Sequence, residues 1–281
     1  MLKPFRETSQ PEPSPTWNEP RPCSVCGREF VPPGGAADLT LCLDCAIAED
    51  ERQQREERQQ QLQDASERQR ALWREDCGVP PLFSLKTFSN FNRKLQPKAF
   101  DALTAYDYAY DGGNERAAPS LVLLSPGVYG VGKTHLVCAL ANHIIETEET
   151  AVSVRDGWIS LNRCPVFFTT EARLVTRIRA TFNNQDGEKD EDIYQQLSRV
   201  DLLILDDVGK VRPRDPAFLQ GVYYRIIDDR YTGEVPVILT TNLDYAELEA
   251  HTGGASADRL REMCGKDGFL KLVGKSYRQR A

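Results

Sequence analysis

Along the second half of the chain, short apolar runs alternate with stretches whose apolar residues recur at helical spacing. The runs are Leu121–Leu124, Val166–Thr170, Leu202–Leu205, Val235–Thr241 and Phe269–Val273. Short runs with little polar alternation read as strands buried on both faces, as in a parallel sheet covered by helices. The expected fold class is α/β, a three-layer parallel sheet with ligands at the carboxyl ends of the strands. The segment from His135 to Ile145 predicts a buried helix directly after the first strand.

The first part of the chain has a different texture. Residues 1–22 are rich in Pro, Glu and Ser and are expected to be a disordered tail. Residues 46–76 are nearly all good helix formers with too few apolar positions for a heptad seam, which predicts a charged, solvated helical linker. Gly78, Pro80 and Pro81 end it, and the large domain is expected over residues 83–281.

Composition narrows the class. The chain has 281 residues, 40% of them apolar and 27% charged, which suits one large core with a small appendage. No apolar run approaches the roughly 18 residues of a membrane span, and the first residues lack the apolar stretch of a secretion signal. A cytoplasmic protein without a membrane partner is expected. A net charge of −7 excludes a uniformly basic coat, so any nucleic-acid contact must come from a local patch.

Four of the eight cysteines form two C-x-x-C pairs, Cys23/Cys26 and Cys42/Cys45, with fifteen residues between them. Two tight knuckles brought together by that loop can hold Zn²⁺ in a closed, structural Cys₄ site over residues 23–45. Two disulfides or four separate thiols are the alternatives.

The run at Leu121–Leu124 leads into Gly127-Val128-Tyr129-Gly130-Val131-Gly132-Lys133-Thr134, followed by His135. This is the G-x-x-x-x-G-K-T pattern of a phosphate-binding loop. Its glycines let backbone N–H groups surround phosphates, Lys133 can reach the β/γ oxygens, and Thr134 can ligate Mg²⁺. ATP with Mg²⁺ is the expected ligand. A second apolar strand delivers Asp206 and Asp207; Asp206 suits the Mg²⁺ and Asp207 an attacking water. A third ends in Thr240-Thr241-Asn242, where Asn242 can sense the γ-phosphate. Arg259 follows, a candidate for stabilising charge on a neighbouring subunit's nucleotide.

From about Phe83 to Arg280 these motifs, with Ile226–Tyr231, Asp258–Leu260 and Ser276–Arg278, resemble the DnaC/DnaI/IstB-type AAA+ ATPases, a group of helicase loaders and transposition helpers. The resemblance implies Walker A and B roles for Lys133/Thr134 and Asp206/Asp207, sensor 1 for Asn242 and a trans-acting arginine finger at Arg259. It further implies self-association, an AAA+ fold without the helical lid, and a zinc-ribbon-like amino-terminal module that grips a replicative ring helicase. Some relatives carry an arginine where this chain has Ala255, so weaker trans-activation is expected; Asp207 is one methylene shorter than the glutamate often found there, so slow hydrolysis is expected. Residues 153–163 look like an inserted surface hairpin.

Single-stranded DNA is the expected nucleic-acid partner. Arg173, Arg177 and Arg179 on the helix after Thr170 suit phosphates and Phe182 suits base stacking; packing through Leu174, Val175 and Ile178 with solvated arginines is the alternative. Lys210, Arg212 and Arg214 form a second basic cluster. The favoured function is an ATP-dependent helicase loader; an IstB-type transposition helper with a transposase partner, or a zinc-ribbon scaffold that binds nucleotide with little hydrolysis, are the competitors.

Overall fold

The computed structural model describes residues 19–33, 38–107, 118–148, 162–182, 187–212 and 215–277, with the backbone of 153–155 and 158–160. Residues 1–18 of the expected tail, with Arg214 and Arg278, lie outside the described residues; its last two residues, Arg21 and Pro22, are instead paired in a hairpin. The chain divides into two compact units, Met1–Ala65 and Ser66–Ala281.

In the first unit β1 (Arg21–Pro22) and β2 (Glu29–Phe30) form a small antiparallel hairpin, and α1 (Leu43–Asp76) begins after it. The helix ends at Asp76, where the linker was expected to end, and begins at Leu43, inside the expected zinc module. Its last turns, which belong to the second unit, are not solvated all round. Trp73 and Gln69 are almost fully buried there, and both donate to the Asn162 carbonyl, at 3.1 and 2.7 Å. A single tryptophan on an otherwise polar helix gives no periodic signal, so this anchor was not legible from spacing.

The second unit continues with α2 (Pro97–Thr104), β3 (Leu121–Leu124), α3 (Lys133–Thr147), the hairpin β4 (Ser153–Arg155) and β5 (Trp158–Ser160), then β6 (Val166–Thr170), α4 (Glu171–Thr181), α5 (Asp190–Arg199) and β7 (Leu202–Val208). It ends with α6 (Pro216–Thr232), β8 (Val237–Thr241), α7 (Tyr245–Thr252), α8 (Gly254–Cys264) and β9 (Phe269–Lys271). Five strands form one sheet in the order β6-β7-β8-β3-β9, every neighbouring pair parallel. The apolar runs expected as strands are those strands, and the expected hairpin within 153–163 is β4–β5.

Burial on both faces explains the uninterrupted runs. Leu202, Leu203 and Ile204 on β7 are wholly inaccessible, as are Val122 and Leu123 on β3. One face packs on Leu136, Leu140 and Ile144 of α3 with Leu103 of α2; the other packs on Leu174 and Ile178 of α4, Leu219 and Ile226 of α6, and Leu260 of α8. Each such aliphatic side chain contributes about 1.5–3 kcal/mol by leaving water. Arg230 of α6 is also fully buried, donating to the carbonyls of Leu197, Val200, Asp201 and Pro236. It satisfies the carboxyl end of α5 and ties that helix to α6. Among the described residues no α-helix follows β9, and no helix is long and apolar enough to cross a membrane.

Candidate nucleotide site

The carboxyl ends of β3, β7 and β8 converge on the loop that joins β3 to α3. Gly132 holds the turn into α3 at φ 101°, and a Cβ there would approach the Phe91 ring to 2.6 Å, so both conformation and packing require glycine. No side chain caps the amino end of α3, so its first-turn amides remain for a ligand.

Lys133 is buried and donates to Ser125 Oγ at 2.5 Å; that hydroxyl donates in turn to the Val128 carbonyl at 2.7 Å. Asn242 Nδ2 joins the same group, 3.0 Å from Ser125 Oγ and also bonded to the Val128 carbonyl. Burial lowers the Lys133 ammonium to about 8, against the opposing charges of Asp207 and Asp206. Ser125 was not singled out in the sequence. Its only signal is a hydroxyl at the residue between strand and loop.

Asp206 is buried on β7, two residues before its end. It accepts the Thr134 hydroxyl at 3.0 and 3.1 Å and the Thr240 hydroxyl at 2.6 Å. Burial pushes its carboxyl up to about 6; the Asp207 charge adds to this, and the threonine bonds and Lys133 oppose it. A buried, unneutralised carboxylate touching the loop threonine fits a divalent cation, whose charge would offset that cost. Asp207 stands on a bulge between Leu205 and Val208 at φ 56°, with its N–H on Thr240 Oγ1 at 3.1 Å. The distortion sets its side chain apart from the strand's alternation.

Beside the loop lies a cavity of about 280 Å³, lined by Phe83, Asn90, Phe91, Val131 and His135 among others. His135 Nε2 is 2.9 Å from Asn90 Oδ1, and the Phe91 ring stands edge-on to the imidazole at 5.1 Å. Tyr277 closes one side through its N–H to the Gly130 carbonyl at 2.8 Å. The aromatic and polar lining suits a planar base. The exposed Tyr129 ring lies under the Lys210 ammonium, 4.2 Å away.

The other predicted residues fall into separate groups. Arg259 on α8 is paired with Asp228 of α6 at 3.0 Å and lies against the rings of Tyr224 and Tyr231. On α4, Arg173 is exposed, and Arg179 lies 5.2 Å from the Phe218 ring, which meets Phe182 edge-on. Arg177 is otherwise engaged: Glu188 takes it bidentately and Gln196 accepts from it at 2.7 Å.

In the first unit the four sulfurs of Cys23, Cys26, Cys42 and Cys45 all lie within 4.8 Å of one another, and all are free thiols. The 3.7 Å between Cys26 and Cys42 is close to the edge of a tetrahedron with arms of about 2.3 Å. Only the first pair forms a loop knuckle, turned by Gly27 at φ 71°; Cys42 and Cys45 sit at the start of α1.

A parallel sheet of this strand order, with a phosphate loop after β3, between β8 and the edge strand β9, and two aspartates near the end of β7, defines an AAA+ P-loop ATPase fold. Within that class, the chain belongs to the family of IstB-like ATP binding proteins, which it matches over residues 46–281. It is 27% identical over 217 residues to the replicative helicase loader DnaC of Buchnera aphidicola subsp. Baizongia pistaciae, covering 77% of this chain and 78% of that one. Against DnaC of Escherichia coli K12 it is 25% identical over 205 residues, or 72% and 73% of the two chains. A crystal structure of the DnaC helicase loader superposes with a TM-score of 0.52 at 19% identity, over 69% of this chain and all of the other.

Proposed function

We propose that this protein is an ATP-dependent loader that uses nucleotide state to hold a ring helicase and place it on single-stranded DNA. The observation that carries the reading is the joint placement of Lys133, Thr134, Asp206 and Asn242 around one phosphate loop, in a chain whose relatives are named replicative helicase loaders. Lys133 and the loop amides bind the phosphates, leaving Ser125 as they do so. Thr134 and Asp206 hold Mg²⁺, which when bound neutralises the developing phosphate charge. Asp207 orients the attacking water and accepts its proton, and Asn242 fixes the γ-phosphate. Arg259 completes the site of an adjacent copy after release from Asp228. Turnover is slow, because the short Asp207 side chain reaches less far than a glutamate.

Arg173, Arg179 and Phe182, with Phe218 beside them, offer the single-stranded DNA surface; cations and an exposed ring side by side suit a flexible polyanion with stacking bases. Arg177 supports α4 instead. The Cys₄ module over residues 23–45 holds Zn²⁺, residues 46–76 link it to the ATPase domain, and the module grips the helicase. The protein works in the cytoplasm.

Retention of the host's replicative helicase on circular single-stranded DNA tests the reading. Retention that needs this protein and ATP, and that fails with Lys133→Ala, supports it; retention unaffected by omitting the protein refutes it. The family's name favours a second reading, a transposition helper, and binding of a transposase with no binding of the helicase would establish that one.

A further inference from the structure

One buried acid outside the phosphate site joins four elements of the domain. Glu171 opens α4 directly after Thr170, which lies in register with Asp206, and it is 1% exposed. Its Oε2 accepts the backbone N–H of Gly209 at 3.0 Å and of Val211 at 2.7 Å, in the segment that leaves β7 just after Asp207. Its Oε1 accepts the Tyr223 hydroxyl of α6 at 2.7 Å and lies 2.5 Å from His251 Nε2 of α7. Burial works to raise this carboxyl, and the His251, Tyr223 and Val211 bonds more than offset it, so the group is held below its usual range and stays ionised.

Burying an ion is unfavourable unless its lone pairs are filled. Here those of Oε2 are filled by the backbone that follows the Walker B aspartates, and those of Oε1 by Tyr223 and His251. That backbone needs fixing, because Asp207 is held at φ 56° on a bulge. The acid that fixes it is the first residue of the helix whose first turn exposes Arg173. A shift of α4 therefore reaches Gly209 and Val211 through one rigid side chain.

We propose that Glu171 is a positioning residue that couples a polyanion bound on α4 to the placement of the Asp206–Asp207 segment, so that nucleic acid is read out as a change in ATP turnover. The inference rests on the functional reading above. Glu171 touches neither nucleotide nor nucleic acid in this role.

The test compares the full-length wild-type chain with Glu171→Gln, which keeps the shape and replaces one acceptor by a donor, and with Tyr223→Phe, which removes a single donor and spares the fold. An oligo(dT) strand of about 20 nucleotides is the probe. Turnover with and without it, oligonucleotide affinity, nucleotide affinity, and amide exchange across residues 207–211 are measured. In Glu171→Gln the oligonucleotide's effect on kcat should collapse to within twofold of unity, while both affinities stay within about threefold; Tyr223→Phe should give a partial loss. Exchange at Gly209 and Val211 should respond to the oligonucleotide in the wild type and not in Glu171→Gln. The proposal is overturned if both variants keep the wild-type stimulation, or if turnover falls only in step with nucleotide affinity and melting temperature. If the wild type hydrolyses no ATP, the catalytic reading fails separately and exchange decides the coupling: protection that the oligonucleotide leaves unchanged, or an oligonucleotide that does not bind, overturns it.

Discussion

Thr240 on β8 donates its hydroxyl to Asp206 on β7 at 2.6 Å, and the same oxygen accepts the Asp207 N–H at 3.1 Å. One threonine thus holds the carboxylate of the first aspartate and the backbone of the second. Thr240→Val keeps the shape, leaves the Asp207 N–H unpaired and takes from Asp206 one of its two hydroxyl donors, which costs about 1–3 kcal/mol. A lower melting temperature and at least a tenfold loss of turnover are expected. Thr240→Ser, which restores the hydroxyl, should recover most of the activity; equal damage from both substitutions would assign the effect to packing.

Asp206 makes the stability of the nucleotide-free protein depend on pH. Its folded value of about 6 lies above that of an unfolded aspartate, near 4, so the folded state holds more protons between those limits. The resulting penalty is fully present above pH 6 and disappears as pH falls toward 4. It is on the order of 2–3 kcal/mol. Thermal melts of Asp206→Asn against wild type should show the variant's advantage growing from pH 4 to pH 6 and then levelling. Mg²⁺ with nucleotide should remove that advantage, since the cation favours the ionised carboxylate.

Lys133 gives the opposite sign in the alkaline range. Burial lowers it to about 8, so the free protein loses the ammonium at a pH where an exposed lysine keeps it. Nucleotide affinity should fall as pH rises through 8, and titration calorimetry between pH 7 and pH 9 would show it. Lys133→Ala should bind nucleotide about 10- to 100-fold more weakly, as loss of a charge-assisted bond implies. The alkaline fall in affinity should vanish with it.

The elements that chemistry holds in place were the legible ones. Runs such as Leu202–Leu205 are apolar because both sheet faces are covered, and Gly132 precedes Lys133 because a side chain there would strike Phe91. What spacing could not show are contacts between distant segments. Ser125 meets Asn242 across 117 positions, and Glu171 meets His251 across 80. Neither serine nor glutamate at those places departs from an ordinary turn or helix start. Arg177 looked like Arg173 in the sequence, and only the fold brings Glu188 and Gln196 to it.

The cysteine cluster should carry one Zn²⁺ per chain, measurable by atomic absorption. Chelation or Cys23→Ser should unfold residues 19–45 as followed by amide exchange, because a module this small has little core without its metal. Nucleotide affinity should stay within about twofold, since the phosphate loop belongs to the other unit. A folded module with no metal would remove zinc from the account.

Arg259 is the residue whose role depends most on a second copy. Its pair with Asp228 at 3.0 Å is partly solvated, with side chains 27% and 32% exposed, so it is worth under about 1 kcal/mol. Breaking it by Asp228→Asn should change turnover by less than about fivefold. Arg259→Ala should lower turnover by about a hundredfold or more with nucleotide affinity nearly unchanged, because a finger acts on the transition state. Mixing Arg259→Ala with Asp207→Ala chains separates trans from cis action: interfaces that join an intact Asp207 to an intact Arg259 should recover part of the activity. Mixed assemblies as inactive as either variant alone would place Arg259 in the packing of α8 on α6, where Tyr224 and Tyr231 already hold it.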